Sequence, residues 1–211
     1  LIGLGPHSPE EYREAYAYVV GGLTEFWRAH RAFAGVQQFV YLTSSITNAD
    51  NFVDVVNLVL EPRWVEYARN AFAPVAVYID SWEDDYPRGN PATVDVLSWN
   101  DTPVRQPAEL HLLTVLPTGT IASTSEPQSI ALGPHAVESL TFEIDMPDTA
   151  PYVLYAQLTP QSPDQPTVWS RRKVGYDHIG QPIPDPPFLT AGKELELPAR
   201  MIRDVPSNSG K

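Results

Sequence analysis

The chain has no cysteine among its 211 residues, which excludes a disulfide framework and any thiolate metal site and leaves the redox compartment open. Basic residues are scarce: 14 Lys and Arg stand against 26 Asp and Glu, a net charge of −12. Nucleic acid and anionic membrane surfaces attract basic patches, so neither is expected as a partner. No apolar run approaches the roughly 20 residues of a membrane span, and Leu1-Ile2-Gly3-Leu4 is too short for a signal-peptide core, so the chain reads as soluble. The histidines at positions 7, 30, 111, 135 and 178 lack the i, i+4 spacing of a helical zinc site, and no metal or cofactor is expected. Nothing in the composition assigns a compartment.

An apolar content of 43% is enough for a substantial core. Ser8-Pro9-Glu10-Glu11 has the order of a helix start, with Ser8 as N-cap, Pro9 at the first helical position and Glu11 closing a capping box. Tyr12, Tyr16, Val19, Leu23, Phe26 and Trp27 then recur at helical spacing, as the face expected to turn inward, and Gly21-Gly22 weakens the middle. Gly35 stops the helix, and Val36 to Thr43 reads as a strand. Thr43 to Asn51 is polar loop. A second helix starts near Pro62, presents Trp64, Tyr67, Ala68, Ala71 and Phe72 on one face, and ends before Pro74.

From Val75 the period changes to two. Segments 75–79, 92–97, 109–115, 139–144, 152–158 and 167–171 alternate, with turn signals at Arg88-Gly89-Asn90-Pro91, Pro117-Thr118-Gly119 and Leu132-Gly133-Pro134. This pattern predicts a two-sheet antiparallel sandwich of about six to eight strands. The fold class is therefore mainly β with an N-terminal α/β segment. Residues 1–73 form a helix–strand–helix piece, residues 74–178 an immunoglobulin-like sandwich, and residues 179–211 a proline-rich extended tail. A lone strand between two helices needs parallel neighbours, as at the end of a (β/α)8 barrel whose earlier strands lie elsewhere, or else a partner strand from another chain.

The order Ala34-Gly35-Val36-Gln37-Gln38-Phe39-Val40-Tyr41, Asp50-Asn51-Phe52, Glu61-Pro62, Tyr67 and Ala71-Phe72-Ala73-Pro74-Val75 resembles glycoside hydrolase family 2, the β-galactosidase-like and β-glucuronidase-like enzymes. The resemblance spans residues 8 to about 175. It implies the last units of the catalytic barrel followed by an immunoglobulin-like domain, with Trp82, Tyr86, Gly89 and a Trp99-Asn100-Asp101 turn opening that domain. The family's two catalytic glutamates would both lie before Leu1, so no catalytic residue is assigned. Where many members place a tryptophan after the eighth strand, this chain reads Tyr41-Leu42-Thr43-Ser44-Ser45.

On that resemblance His7 would sit in the loop after the seventh barrel strand, and Ser44, Ser45, Asn48 and Asn51 in the loop after the eighth, where polar side chains meet sugar hydroxyls. Asp50 and Asp54 are the nearby carboxyl pair, although turn and cap hydrogen bonds account for such residues more simply. Ser44 has no His–Asp arrangement around it. Glu83-Asp84-Asp85 reads as a solvated run without calcium-loop spacing. Trp27, Trp64 and Phe72 are core candidates, whereas Trp82, Tyr86 and Trp99 are the candidate sugar platforms.

Three functions follow. The first is the C-terminal part of a glycoside hydrolase acting on β-linked sugars, inactive alone, with a structural or site-rim role. It would meet carbohydrate through its parent and would associate with the missing part of the barrel or with itself. The second is a carbohydrate-binding module and the third a protein-interaction sandwich.

Overall fold

The computed structural model describes residues 8–31, 35–36, 51–54, 57, 59–83 and 86–176. Helix α1 spans Pro9–Ala29 and α2 spans Pro62–Phe72, with a small hairpin of β1 (Phe52–Asp54) and β2 (Val59–Leu60) between them. The rest is strand: β3 (Val75–Ile79), β4 (Pro91–Asn100), β5 (Gln106–Val115), β6 (Ile121–Thr124), β7 (Gln128–Leu132), β8 (Val137–Asp145), β9 (Tyr152–Pro160) and β10 (Val168–Val174). The expected strand from Val36 to Thr43 and the tail from Ile179 lie outside the described residues, apart from Val36.

Local chemistry explains the boundaries. At the start of α1 the Ser8 hydroxyl accepts from the Glu11 amide at 3.2 Å, and the Glu11 carboxylate accepts from the Ser8 amide at 2.6 Å. Helix α2 is capped by Glu61, whose carboxylate accepts from the Trp64 amide at 2.6 Å. Two of the expected turns rest on left-handed glycines, Gly89 at φ 61° and Gly119 at φ 81°.

Strands β3, β4 and β8 form one antiparallel sheet; the other runs β10-β9-β5-β6, with β7 paired further along β5. Each of the six alternating segments is a strand. The short strands β6 and β7 are not among the segments read from the sequence: β6 is largely exposed and carries no alternation, whereas β7 alternates over only five residues, with Ile130 and Leu132 as its buried positions. Between the sheets lies one core, with Trp99, Phe142, Leu110, Leu112, Leu132, Leu154 and Leu158 almost wholly buried. Trp99-Asn100 is therefore the buried end of β4, not an opening turn.

The helices supply a third layer. Strands β9 and β10 are buried on successive residues, because the sandwich core covers one face while Ala17, Tyr67 and Trp64 meet Leu113, Val115, Val153, Tyr155 and Trp169 on the other. The free edge of β10 is closed by side chains: Asn70 Oδ1 accepts from the Trp169 amide at 3.2 Å, and the Tyr18 hydroxyl accepts from the Lys173 amide at 3.1 Å. An exposed edge strand is a liability that covering of this kind removes.

Helix α1 docks on the side opposite to the one its apolar spacing predicts. Glu14, Ala17, Gly21, Gly22, Thr24, Glu25 and Ala29 are buried, while Val19 and Leu23 are 48% and 45% exposed. Trp27 and Phe72, core candidates by sequence, are also substantially exposed, and Trp64 is half-buried against the second cluster. The glycines are the reason. A Cβ on Gly21 would lie 3.0 Å from the Tyr67 ring, and one on Gly22 would lie 2.6 Å from the Trp82 ring. Gly21-Gly22 is thus a close-packing surface, and its helix-propensity cost of about 1 kcal/mol per glycine is offset by contact.

Candidate functional site

His7, Ser44, Ser45, Asn48 and Asp50 lie outside the described residues. Asn51 is 3% exposed; its carbonyl accepts from the Glu61 amide at 2.9 Å and its side-chain oxygen is buried without a hydrogen bond. Asp54 behaves as a turn residue, accepting from the Asn57 amide at 3.0 Å and the Asn57 side chain at 2.6 Å. Two of the aromatic platforms are not available as such. Trp99 is fully buried, and Tyr86 is 7% exposed with its hydroxyl donating to Ser81 at 2.6 Å. Trp82 keeps 46% exposure, but its indole N–H donates to Tyr78 at 2.9 Å and the Arg172 guanidinium lies 4.3 Å from its ring centre.

The densest chemistry instead lies where α1 and α2 meet β3 and β10. Consecutive residues of β10 point to opposite faces, so Ser170 and Arg172 turn one way and Arg171 the other. Ser170 donates to Glu25 Oε2 at 2.5 Å and accepts from the Ile79 amide at 3.2 Å. Arg172 donates to the carbonyls of Ile79 and Ser81 at 2.6 and 2.7 Å and pairs with Glu25 at 3.6 Å. On the other face Arg171 donates to Glu66 at 2.7 Å and lies 3.8 Å from the centre of the Tyr67 ring.

A second joint binds the helix ends. Arg28 donates to the carbonyls of Ala71 and Ala73 at 2.5 and 3.0 Å, closing the C-terminus of α2, and also pairs with Asp101. Arg31 reaches the same carboxylate at 2.6 Å. Burial pushes the Asp101 carboxyl up, but the hydrogen bonds from Arg31 and Arg28 outweigh it and hold the group below the usual aspartate range.

A buried glutamate with a raised pKa is the form a general acid takes. Glu25 fits the electrostatic half of that description, since desolvation pushes its carboxyl up against the opposing pull of Arg172 and Ser170. It fails the geometric half: at 5% exposure, with its carboxylate engaged by Ser170 and Arg172, it is sealed between a helix and a strand. Burial likewise raises the phenols of Tyr67 and Tyr155. These groups do the work of a weld, in which each charge is matched and several backbone acceptors at a sheet edge are filled. Among the described residues, no group of three metal-ligating side chains is placed to hold an ion.

Sequence reasoning passed over this joint, yet it left two signals. Arg171-Arg172-Lys173 is a run of three cations inside a strand bounded by Val168-Trp169 and Val174, and Glu25 sits across α1 from the Tyr12, Val19, Leu23 stripe.

No family model and no curated protein matches the chain. Among solved structures it is similar to a Bacteroides uniformis beta-glucuronidase at 15% identity and a TM-score of 0.34, over 47% of this chain and 12% of that one. It is also similar to the CARDB domain of a Pyrococcus furiosus protein, at 16% identity and a TM-score of 0.36, over 49% of this chain and 94% of that one. A FixG-related protein from Vibrio parahaemolyticus aligns at 18% identity and a TM-score of 0.34, over 49% and 98%. The aligned part is thus a small fraction of the beta-glucuronidase. Likenesses of this strength assign neither family nor activity, and the fold stands on the strands themselves: a β-sandwich of immunoglobulin-like kind preceded by helices.

Proposed function

We propose that this chain is a non-catalytic β-sandwich module that works by holding protein surfaces together, with its two helices as the contact element. One observation carries the reading: the buried charged groups Glu25, Arg171 and Arg172 are spent on fixing the helices to the sheet edges. A module that binds glycans by stacking needs an open aromatic face. Burial of Trp99 and Tyr86, with Arg172 against Trp82, weighs against that use of them.

A second reading places the module inside a glycoside hydrolase of family 2 type, acting on β-linked sugars, where it braces the end of the barrel or shapes the rim of the site. Its support is the residue order from Ala34 to Val75, together with an apolar face on α1 turned away from the sandwich, as on a helix held between two layers. In that reading residues 1–73, 74–178 and 179–211 are barrel end, sandwich and tail. His7, Ser44, Ser45, Asn48, Asp50 and Asn51 are then its rim residues, meeting carbohydrate only through the parent.

The test is turnover of a panel of aryl β-glycosides by the purified chain, with binding to a glycan array alongside. Neither is expected. Hydrolysis that survives purification would overturn the non-catalytic reading, and specific array hits would replace it with a carbohydrate-binding one.

A further inference from the structure

We infer that the place where the first turn of α2 meets the end of β10 is a binding site for a carboxylate, held by Trp64, Arg171, Lys173 and Tyr176. It goes beyond the holding role proposed above, which would stand without it. Arg171 and Lys173 lie on the same face of β10, and Trp64 and Tyr176 pack against the cluster that covers that face. Arg171 is 3% exposed; its Nη2 donates to Glu66 at 2.7 Å and its guanidinium lies 3.8 Å from the centre of the Tyr67 ring. Among the described residues its Nη1 has no hydrogen-bond partner, and neither have Trp64 Nε1 and the Tyr176 hydroxyl, although all three atoms are buried. Buried polar groups nearly always find partners, so orphans gathered in one small cluster call for an acceptor.

The donors choose the ligand. A guanidinium and an indole N–H can only donate. Burial pushes the Tyr176 phenol up to about 12, with Glu14 adding to the effect, so the hydroxyl keeps its proton and can donate as well. Such a set takes a ligand that accepts. Lys173 adds charge: its ammonium lies 5.2 Å from the centre of the Tyr18 ring and 5.9 Å from that of Tyr176. Among the described residues no carboxylate stands within ion-pair distance of it. Burial pushes this ammonium below the ordinary lysine value against the pull of Glu14, with Arg171 adding to the fall. An anion at the site would favour the charged form again.

Charge fixes the valence. Around this cluster Arg63, Arg171 and Lys173 face only Glu14 and Glu66, which leaves a positive excess inside a chain that carries −12 overall. A monoanion balances that excess, whereas a phosphate dianion would reverse it. A carboxylate offers two oxygens with about four lone-pair sites, enough for donors that arrive from a helix, a strand and the residues just beyond the strand. Trp64, Lys173 and Tyr176 are each half-buried and keep part of their surface in water, which gives a small acid its approach.

The experiment titrates the full chain with sodium acetate at constant ionic strength, beside a sodium chloride control. The chain has five tryptophans, few enough for their indole N–H signals to be resolved by NMR, and Trp64→Phe identifies one signal by its loss. That signal should shift saturably with acetate, with a dissociation constant of about 1–10 mM, as suits so small a ligand. Lys173→Gln should raise the constant at least fivefold, while Arg105→Gln, which removes an exposed cation beside β7, should leave it unchanged. Should Lys173→Gln fail to fold, Tyr176→Phe, which takes away one donor and little volume, serves in its place. N-acetylglutamate N-methylamide in the same titration separates the sources of the group: binding tighter than acetate supports the site as a socket for a partner's acidic side chain, and weaker binding supports it as a site for a free small acid. No saturable shift up to about 100 mM acetate, a shift that chloride reproduces, or a constant indifferent to the substitution at the site would each overturn the proposal. Turnover of glycosides would instead overturn the module's non-catalytic reading and leave this site standing.

Discussion

Replacing Arg172 with methionine retains aliphatic bulk over Trp82 and Tyr78 and removes the guanidinium that joins β10 to β3. The residue is 2% exposed, so water does not replace it freely. Three carbonyls, of Ile79, Ser81 and Arg171, lose donors now at 2.6, 2.7 and 2.6 Å, and Glu25 loses its counter-charge at 3.6 Å. Removing one member of a buried ion pair costs about 3–5 kcal/mol, and a carbonyl left without a donor costs about 1–3 kcal/mol. The two overlap, since Glu25 can relax by taking up a proton, and a loss of about 5 kcal/mol is expected in place of the sum. At an m-value of about 2 kcal/mol/M that lowers the urea midpoint by about 2.5 M. Ellipticity and tryptophan fluorescence should report it together, because the helices and the sheet edge share the joint. Adding Glu25→Gln to Arg172→Met should return about 1–2 kcal/mol, by removing the orphaned carboxylate. A single-variant loss below about 1 kcal/mol would refute the claim that this joint holds the helices in place.

Two carboxyls should give opposite pH signatures. The Glu25 carboxyl is raised by burial above its ordinary value of 4.5, so the folded state holds this proton more tightly. Its contribution is full below that ordinary value and is lost as pH rises through the shifted one, and Glu25→Gln should flatten this decline in a melting-temperature series. The Asp101 carboxyl is held below 3.8 by Arg31 and Arg28 against the effect of burial, so its contribution is present above that value and lost as pH falls through the shifted one. Asp101→Asn should remove that part of the acid limb, and an unchanged acid limb would show the pairing to be immaterial. Ser8→Ala breaks the capping box at the head of α1 and should cost about 1 kcal/mol in thermal or urea unfolding; an unaltered midpoint would mean that the first turn is not held by this cap.

Whatever depends on near neighbours could be read from the chain. The N-cap at Ser8, the start of α2 at Pro62, the glycine turns at 89 and 119 and the period-two strands from Val75 all follow from steric and hydrogen-bonding preferences acting over a few residues. The sandwich class follows from them, because alternating strands with short turns have few ways to bury one face. Which side of α1 faces the protein could not be read in that way. Apolar spacing assigned Tyr12, Val19, Leu23 and Trp27 to the interior, yet the interior side is the one with Gly21 and Gly22, where the backbone comes close to Tyr67 and Trp82. Likewise Trp99 reads as a loop platform until β8 pairs with β4 and the two sheets close over it. Glu25 and Ser170 are 145 positions apart, and a helix and a strand so distant in sequence become partners only when the free edges of β3 and β10 demand donors and acceptors. Local preference determined the elements of this protein, and the need to satisfy buried backbone and charge between them decided which faces meet.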